Sequence, residues 1–376
     1  MKAKAGIACT IGLSAVLAAC GEADQTEETA EQDEGNGEET ETIDVYTTLF
    51  ALEDFANRIG GDAVNVTNIV PVGADAHSFE PTAQTMIDIA ESDMFLYNGA
   101  GMEGFADAVE DTLQGEDVKV AKAVEGINLI DYDHDHDHDD EHGHDDHGHE
   151  EDEHEHDDEH GHDHHAHEED EHAHDDEHGH DDHAHEEDED HSHDDHGHSH
   201  DHGDEDPHVW LDPVLSIEMA ENIKEALVEV NPEESETFEN NFEELQQELE
   251  TLHEEFEAMV EAADKDTFIV SHAGYGYWEQ RYGLNQLGIS GLSPTNEPSQ
   301  KQLEEIIQYA EDHDIEYVMF EQNITPQVAE VVQDEVGAEA LRLHNLEALV
   351  EEDEENEEDY FSLMRRNIEN LETALQ

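Results

Sequence analysis

Cysteine is nearly absent: Cys9 and Cys20 are the only two in 376 residues, and both lie within the first twenty. The rest of the chain can build neither a disulfide framework nor a thiolate metal site, so any metal must be held by nitrogen and oxygen. Basic residues are scarce as well, with 12 Lys and Arg against 107 Asp and Glu and a formal net charge of −95. Nucleic-acid binding rests on cations that neutralise phosphates, and this chain has almost none to offer. Two signatures of chemistry are also missing. There is no Gly-x4-Gly-Lys-Ser/Thr loop to cradle a nucleotide, and no His-Glu-x-x-His pair to build a zinc hydrolase. The chain is therefore read as a non-enzyme. What it has in excess is acid, unevenly placed. Residues 131–206 hold 38 Asp and Glu and no Lys or Arg, yet the remainder is still strongly acidic. Such a body repels itself at low salt, which points to a salt-rich setting that screens the repulsion.

Residues 1–19 read as a secretory signal. Lys2 and Lys4 precede an apolar run of h-region length, too short to span a bilayer. It ends in Leu17-Ala18-Ala19-Cys20, which resembles the lipobox of bacterial lipoproteins, in which the cysteine sulfur carries a diacylglycerol. Two acyl chains hold a protein stably on a membrane. Residues 20–42 are acidic and nearly free of large apolar groups, and read as a disordered tether.

From residue 43 the pattern becomes globular. Strands are expected at 43–49, 64–70, 93–97 and 118–121, with helices at 52–59, 83–90 and 104–112 between them. Strands alternating with helices point to a mostly parallel sheet covered on both faces. After residue 130 the texture breaks. Residues 133–202 contain 26 of the 32 histidines, and residues 151–168 recur at 169–186 with two differences. The repeat has no apolar face to stack, so it reads as a disordered insert grown by duplication. Globular sequence resumes at Pro207 with a helix at 214–230. In the next helix Phe238, Phe242, Leu245, Leu249, Leu252, Phe256 and Met259 recur at alternating steps of four and three. That spacing fits a coiled-coil seam and equally a long helix laying one stripe along a globular body. Strands at 267–271, 286–289, 317–321 and 340–343 and helices at 299–312, 326–336 and 360–375 form a second α/β half, with a Gly/Tyr-rich turn after 272 and an acidic loop before 360.

Outside the insert six histidines remain. His253 and His313 sit on polar helical stretches and read as surface residues. His77, His208, His272 and His344 lie at strand ends or in loops, where α/β sheets present ligand groups. The insert offers imidazole nitrogen and carboxylate oxygen, a donor mix suited to zinc, copper or nickel. His134, His136, His138, His142, His144, His160, His162, His178, His180, His196, His198 and His200 are its candidate weak, reversible ligands.

The globular part resembles the metal-binding lipoproteins of bacterial ABC importers, cluster A-I, in its zinc branch. The resemblance rests on Tyr46-Thr47-Thr48-Leu49, the run Pro71 to Thr82 around His77, Tyr97-Asn98-Gly99 and His208-Val209-Trp210-Leu211-Asp212-Pro213. It continues in Ser271-His272-Ala273-Gly274-Tyr275-Gly276-Tyr277, Ile289 to Pro294, Glu297-Pro298-Ser299 and Leu346-Glu347. It implies two Rossmann-like lobes with parallel sheets, 43–232 and 264–376, joined by a long rigid helix at 233–263. It further implies a metal in the inter-lobe cleft, held by His77 and His208 from the first lobe and by His272 and a carboxylate from the second. Manganese binders of the cluster carry glutamate at the third position, so His272 implies Zn2+. Glu347 of the Leu-Glu pair is the expected fourth ligand, with His344 as the alternate. The implied role is zinc capture by an extracytoplasmic, lipid-anchored monomer that delivers the ion to an ABC permease with its own ATPase. A manganese binder of the same cluster and a passive His-rich metal buffer are the competing readings.

Overall fold

The computed structural model describes residues 42–132, 205–323 and 327–376. The signal, Cys20, the tether and the histidines of the insert lie outside the described residues. In the first lobe β1 (Ile43–Thr47), α1 (Phe50–Gly60), β2 (Val64–Asn68), α2 (Ala83–Ala90), β3 (Met94–Tyr97), α3 (Ala106–Leu113) and β4 (Lys119–Lys122) alternate along the chain. Their strands form a parallel sheet in the order β2-β1-β3-β4. Two long helices follow, α4 (Pro213–Val230) and α5 (Ser235–Ala262). Then come β5 (Thr267–His272), α6 (Gly276–Tyr282), β6 (Asn285–Ser290), α7 (Gln300–Asp312), β7 (Tyr317–Phe320), α8 (Gln327–Val336) and β8 (Glu339–Arg342). This second sheet is parallel too, in the equivalent order β6-β5-β7-β8. Finally α9 (Glu351–Glu355) and α10 (Tyr360–Ala374) close the chain. The two-lobed α/β architecture expected from the sequence is what the chain adopts.

Local sequence explains the elements. All four residues of β3 and all six of β5 are buried, as strands covered on both faces must be. Asp212 caps α4 by accepting the N–H groups of Val214 and Leu215, and Pro213 supplies the first helical φ. Ser299 and Gln302 form a capping box at the start of α7. The stripe of α5 is spent inside the chain. Phe238, Leu245, Leu249, Leu252 and Phe256 are buried against α1, α4 and α10, so the helix is a spine on a globular body rather than half of a coiled coil.

Two helices were absent from the sequence pattern. α6 replaces the expected turn because burial overrides propensity. Trp278 packs on Phe256 with ring centroids 4.9 Å apart and donates to the Leu211 carbonyl, and the Tyr277 hydroxyl donates to the Asp206 carbonyl. α9 forms inside the acidic loop because carboxylates suit a helix N-terminus, and Asp353 Oδ2 accepts the Val350 N–H there.

The closing segment packs where its sequence position would not place it. Leu343, Leu346, Tyr360, Phe361, Leu363 and Met364 share one hydrophobic cluster with Val45, Leu49 and Phe55 of the first lobe. Ile269, Ile289, Ile306, Val318 and Val332 form a separate, smaller cluster under the second sheet. The stem of the insert is closed by an antiparallel bridge between Asp131 and Glu205 and by the Asp206 N–H donating to the Ile130 carbonyl at 2.9 Å. Among the described residues no helix is long and apolar enough to cross a membrane.

Truncating the buried spine tests this packing. Leu249→Ala should cost about 2–5 kcal/mol in urea unfolding, whereas Glu244→Ala on the exposed face of α5 should stay within about 0.5 kcal/mol. Equal small effects at both positions would show that the stripe is not core.

Candidate metal centre

Open α/β sheets gather ligands beyond the carboxyl ends of their strands, where the strand order reverses. His272 ends β5, the strand at that reversal in the second sheet. His77 sits in a short 3-10 turn, Ala76–Ser78, in the loop after β2. Asp75 shapes that turn by accepting the His77 N–H at 3.0 Å and the Ser78 hydroxyl at 2.8 Å. His208 lies two residues after the stem of the insert. Asp206 Oδ1 accepts its backbone N–H at 2.9 Å and meets its ring Nδ1 at 2.7 Å. Asn98 steadies the same stretch by donating to the Pro207 carbonyl at 3.0 Å. Glu347 follows a turn in which Leu346 adopts φ +58°.

These four side chains converge. One ligand atom from each of His77, His208, His272 and Glu347 lies within 4.8 Å of all the others. His208 Nε2 is 3.3 Å from His77 Nε2 and 3.3 Å from His272 Nε2. Glu347 Oε1 is 3.3 Å from His77 Nε2 and 3.7 Å from His208 Nε2. A tetrahedron with metal–ligand bonds of about 2.0–2.1 Å has edges of about 3.3–3.4 Å, so most of these separations are already those of a closed zinc shell. Close packing leaves no slack. A Cβ on Gly274 would lie 2.6 Å from His272 Nε2 and 3.3 Å from His208 Cδ2, so only glycine fits beside the cluster.

The electrostatics call for a cation. With Nδ1–H of His208 committed to Asp206, its Nε2 presents a lone pair, and two more imidazole nitrogens and a carboxylate oxygen face it. Glu347 is buried, and its Oε1 faces ring nitrogens of His77 and His208. Burial opposes its ionisation, but His77, His272 and His208 outweigh that and hold the carboxyl down at about 2. His272 Nδ1 pairs with Glu321 Oε1, and Glu321 also takes the Ser271 hydroxyl and, at 3.2 Å, that of Tyr275. Burial disfavours charge on His272, yet Glu321, then Glu347 and Asp206, raise its pKa to about 9. Desolvation pushes Asp206 up to about 7. Without metal, one proton on His272 partly fills the gap. A divalent ion would fill it for all four donors at once.

The other histidines are elsewhere. His344 is buried, but its Nδ1 accepts the Leu346 N–H at 2.9 Å and its Nε2 meets Asp353 Oδ2 at 3.2 Å, so it is not among the converging donors. His253 is half-buried beside Tyr282, and His313 is exposed and stacked on Tyr309. Sequence reasoning missed Asp206 and Glu321, the carboxylates behind His208 and His272. Each left a signal: an acid two residues before a candidate ligand, and an acid ending an apolar strand that pairs with the strand of His272.

Fold and cluster together define a two-lobed α/β protein whose clustered donors are suited to a divalent metal. The chain belongs to the ZnuA family, described as zinc-uptake complex component A, periplasmic, whose family model matches residues 45–374. The zinc-binding lipoprotein AdcA of Streptococcus pneumoniae (strain ATCC BAA-255 / R6) is 30% identical over 335 residues, covering 88% of this chain and 55% of AdcA. The chain thus spans about half the length of that relative. The high-affinity zinc uptake system protein ZnuA of Bacillus subtilis (strain 168) is 30% identical over 334 residues, covering 89% of this chain and 88% of that protein. Among solved structures, the Zn(II)-bound ZnuA-like domain of Streptococcus pneumoniae AdcA superposes with a TM-score of 0.63 at 27% identity, covering 89% of this chain and 99% of the domain. The family resemblance read from the sequence is borne out.

The ion pair behind His272 gives a pH prediction. A folded pKa of about 9 against an ordinary 6.5 means that the metal-free fold binds this proton more tightly than the unfolded chain does. The resulting stabilisation is complete below pH 6.5 and fades as pH rises through about 9. In chelator-treated protein, nitrogen NMR should find His272 doubly protonated at about pH 7.5, and Glu321→Gln should lower its pKa. Titration of the parent imidazole near 6.5 would contradict this account.

Proposed function

We propose that this chain captures Zn2+ outside the cytoplasm with His77, His208, His272 and Glu347, and hands it to an ABC permease driven by a separate ATPase. The observation that carries the reading is the set of four donor atoms already spaced like the corners of a zinc tetrahedron. Three neutral imidazoles and one carboxylate suit zinc, whereas manganese prefers more oxygen. Four protein ligands close the shell and leave no position for an activated water, which favours cargo binding over hydrolysis. The names of the relatives support the same cargo, since AdcA is a zinc-binding lipoprotein and the Bacillus protein a component of zinc uptake. The lobes, 43–232 and 264–376, flank the linking helix 233–263, and a diacylglycerol on Cys20 tethers the monomer to the membrane.

In this reading the insert is an accessory collector, whose capture weakens below about pH 6.5 as its imidazoles protonate. Deleting residues 133–202 separates the roles. Competition against a chromophoric chelator should still find one tightly held zinc per chain, with the weaker equivalents gone. His272→Ala should do the reverse, lowering affinity at the tight site and leaving the weak equivalents. Loss of the tight site on deletion would make the protein a His-rich buffer instead.

A further inference from the structure

The residue before Glu347 has a strained backbone. Leu346 takes φ +58°, a left-handed conformation that a branched side chain rarely occupies without support. Its support is a set of hydrogen bonds on every side of the turn. The Leu346 and Glu347 carbonyls accept the Ala51 and Phe50 N–H groups at 3.3 and 2.8 Å, at the start of α1. Leu49 offers that helix no side-chain cap, so the turn serves as one. Asn345 Oδ1 accepts the Glu347 N–H at 3.2 Å, and the Leu346 N–H goes to His344 Nδ1 at 2.9 Å.

His344 can accept there only in one tautomer. Asp353 Oδ2, 3.2 Å from Nε2, holds the proton on that nitrogen and leaves the Nδ1 lone pair to Leu346. The ring is fixed in place as well as in tautomer. Asn367 of α10 brackets the His344 backbone, accepting its N–H at 2.7 Å and donating to its carbonyl at 2.8 Å. Arg366 in turn faces Asp353 at 3.6 Å. A buried imidazole that is not itself among the converging donors thus sits at the end of a chain running from α10 to the backbone of the fourth ligand.

We infer that His344 is a positioning residue for Glu347: held by Asp353 as the Nε2–H tautomer, it stabilises the left-handed turn at Leu346 and so aims the carboxylate at the three imidazoles. The inference rests on the reading of Glu347 as a metal ligand. A residue that merely filled the core would affect stability without acting through Glu347.

Two polar substitutions separate these possibilities. In His344→Gln the amide nitrogen can replace Nε2–H toward Asp353, but nothing accepts the Leu346 N–H. In His344→Asn the amide oxygen can replace Nδ1, while the Asp353 bond is lost. With cooperative thermal unfolding as the check on folding, H344Q should weaken zinc binding about 10- to 100-fold, the range of residues that orient a ligand, and H344N should recover most of that loss. The decisive arm is a double-mutant cycle. In an E347A background H344Q should cost nothing further, and the cobalt-loaded absorption spectrum of H344Q should shift toward that of E347A. An equal loss in both backgrounds, or no loss in H344Q, overturns the inference and leaves the zinc site standing. Unchanged affinity in E347A alone overturns the site itself.

Discussion

Buried lone pairs do not tolerate one another, and the fold brings four sets of them together. Three imidazole nitrogens and a carboxylate oxygen meet at hydrogen-bonding distance with too few protons between them. Each carboxylate behind the cluster, Asp206 at His208 and Glu321 at His272, holds the outer ring nitrogen of its imidazole and so turns Nε2 inward. The arrangement would be relieved by a cation at its centre, which supports the proposal that these donors hold a divalent ion. The raised pKa of His272 and the lowered pKa of Glu347 express the same frustration in protons.

The rest of the structure keeps those donors from relaxing apart. Two sheets of equivalent order present their ligand loops toward each other, and α5 lies along the body as a buried spine. The segment bearing Glu347 comes late in the chain but is bonded to the first lobe: Trp210 donates to the Asn345 carbonyl, Gly73 to that of Leu349, and α1 begins on the carbonyls of Leu346 and Glu347. Its apolar residues belong to the large cluster that joins Val45, Leu49 and Phe55 of the first lobe to Phe268, Val270 and Trp278 of the second. The segment is bonded to the second lobe as well, where Gln322 donates to Asn345 Oδ1 at 2.6 Å and to the Ala348 carbonyl at 3.1 Å, so Glu347 is held from both sides. Separation of the lobes meets resistance from the buried hydrogen bonds that Tyr277 and Trp278 donate to the Asp206 and Leu211 carbonyls.

Much of this was legible in the sequence, for identifiable reasons. Strands with continuous apolar runs, such as Met94–Tyr97, declare themselves, and so do helices with caps like Asp212-Pro213 and Ser299. His77, His208 and His272 stood out because cysteine was absent and few histidines lay outside the insert. Glu347 was expected ahead of His344 through the Leu-Glu resemblance alone; residue types left both open, because two residues three positions apart can each face the cleft depending on one backbone turn. That turn depends on φ at Leu346 and on partners from α1, α9 and α10. Helix α6 was hidden for a similar reason, since Trp278 and Tyr277 are stabilised by groups distant in sequence. Local patterns reveal elements; ligand selection is a tertiary property.

The central claim is that these four side chains together form one zinc shell. Diffraction from zinc-loaded crystals, recorded on either side of the zinc absorption edge, tests it directly. One strong anomalous peak is expected about 2.0–2.2 Å from His77 Nε2, His208 Nε2, His272 Nε2 and a Glu347 carboxylate oxygen. A peak placed elsewhere, or one bound by His344 in place of Glu347, would contradict it.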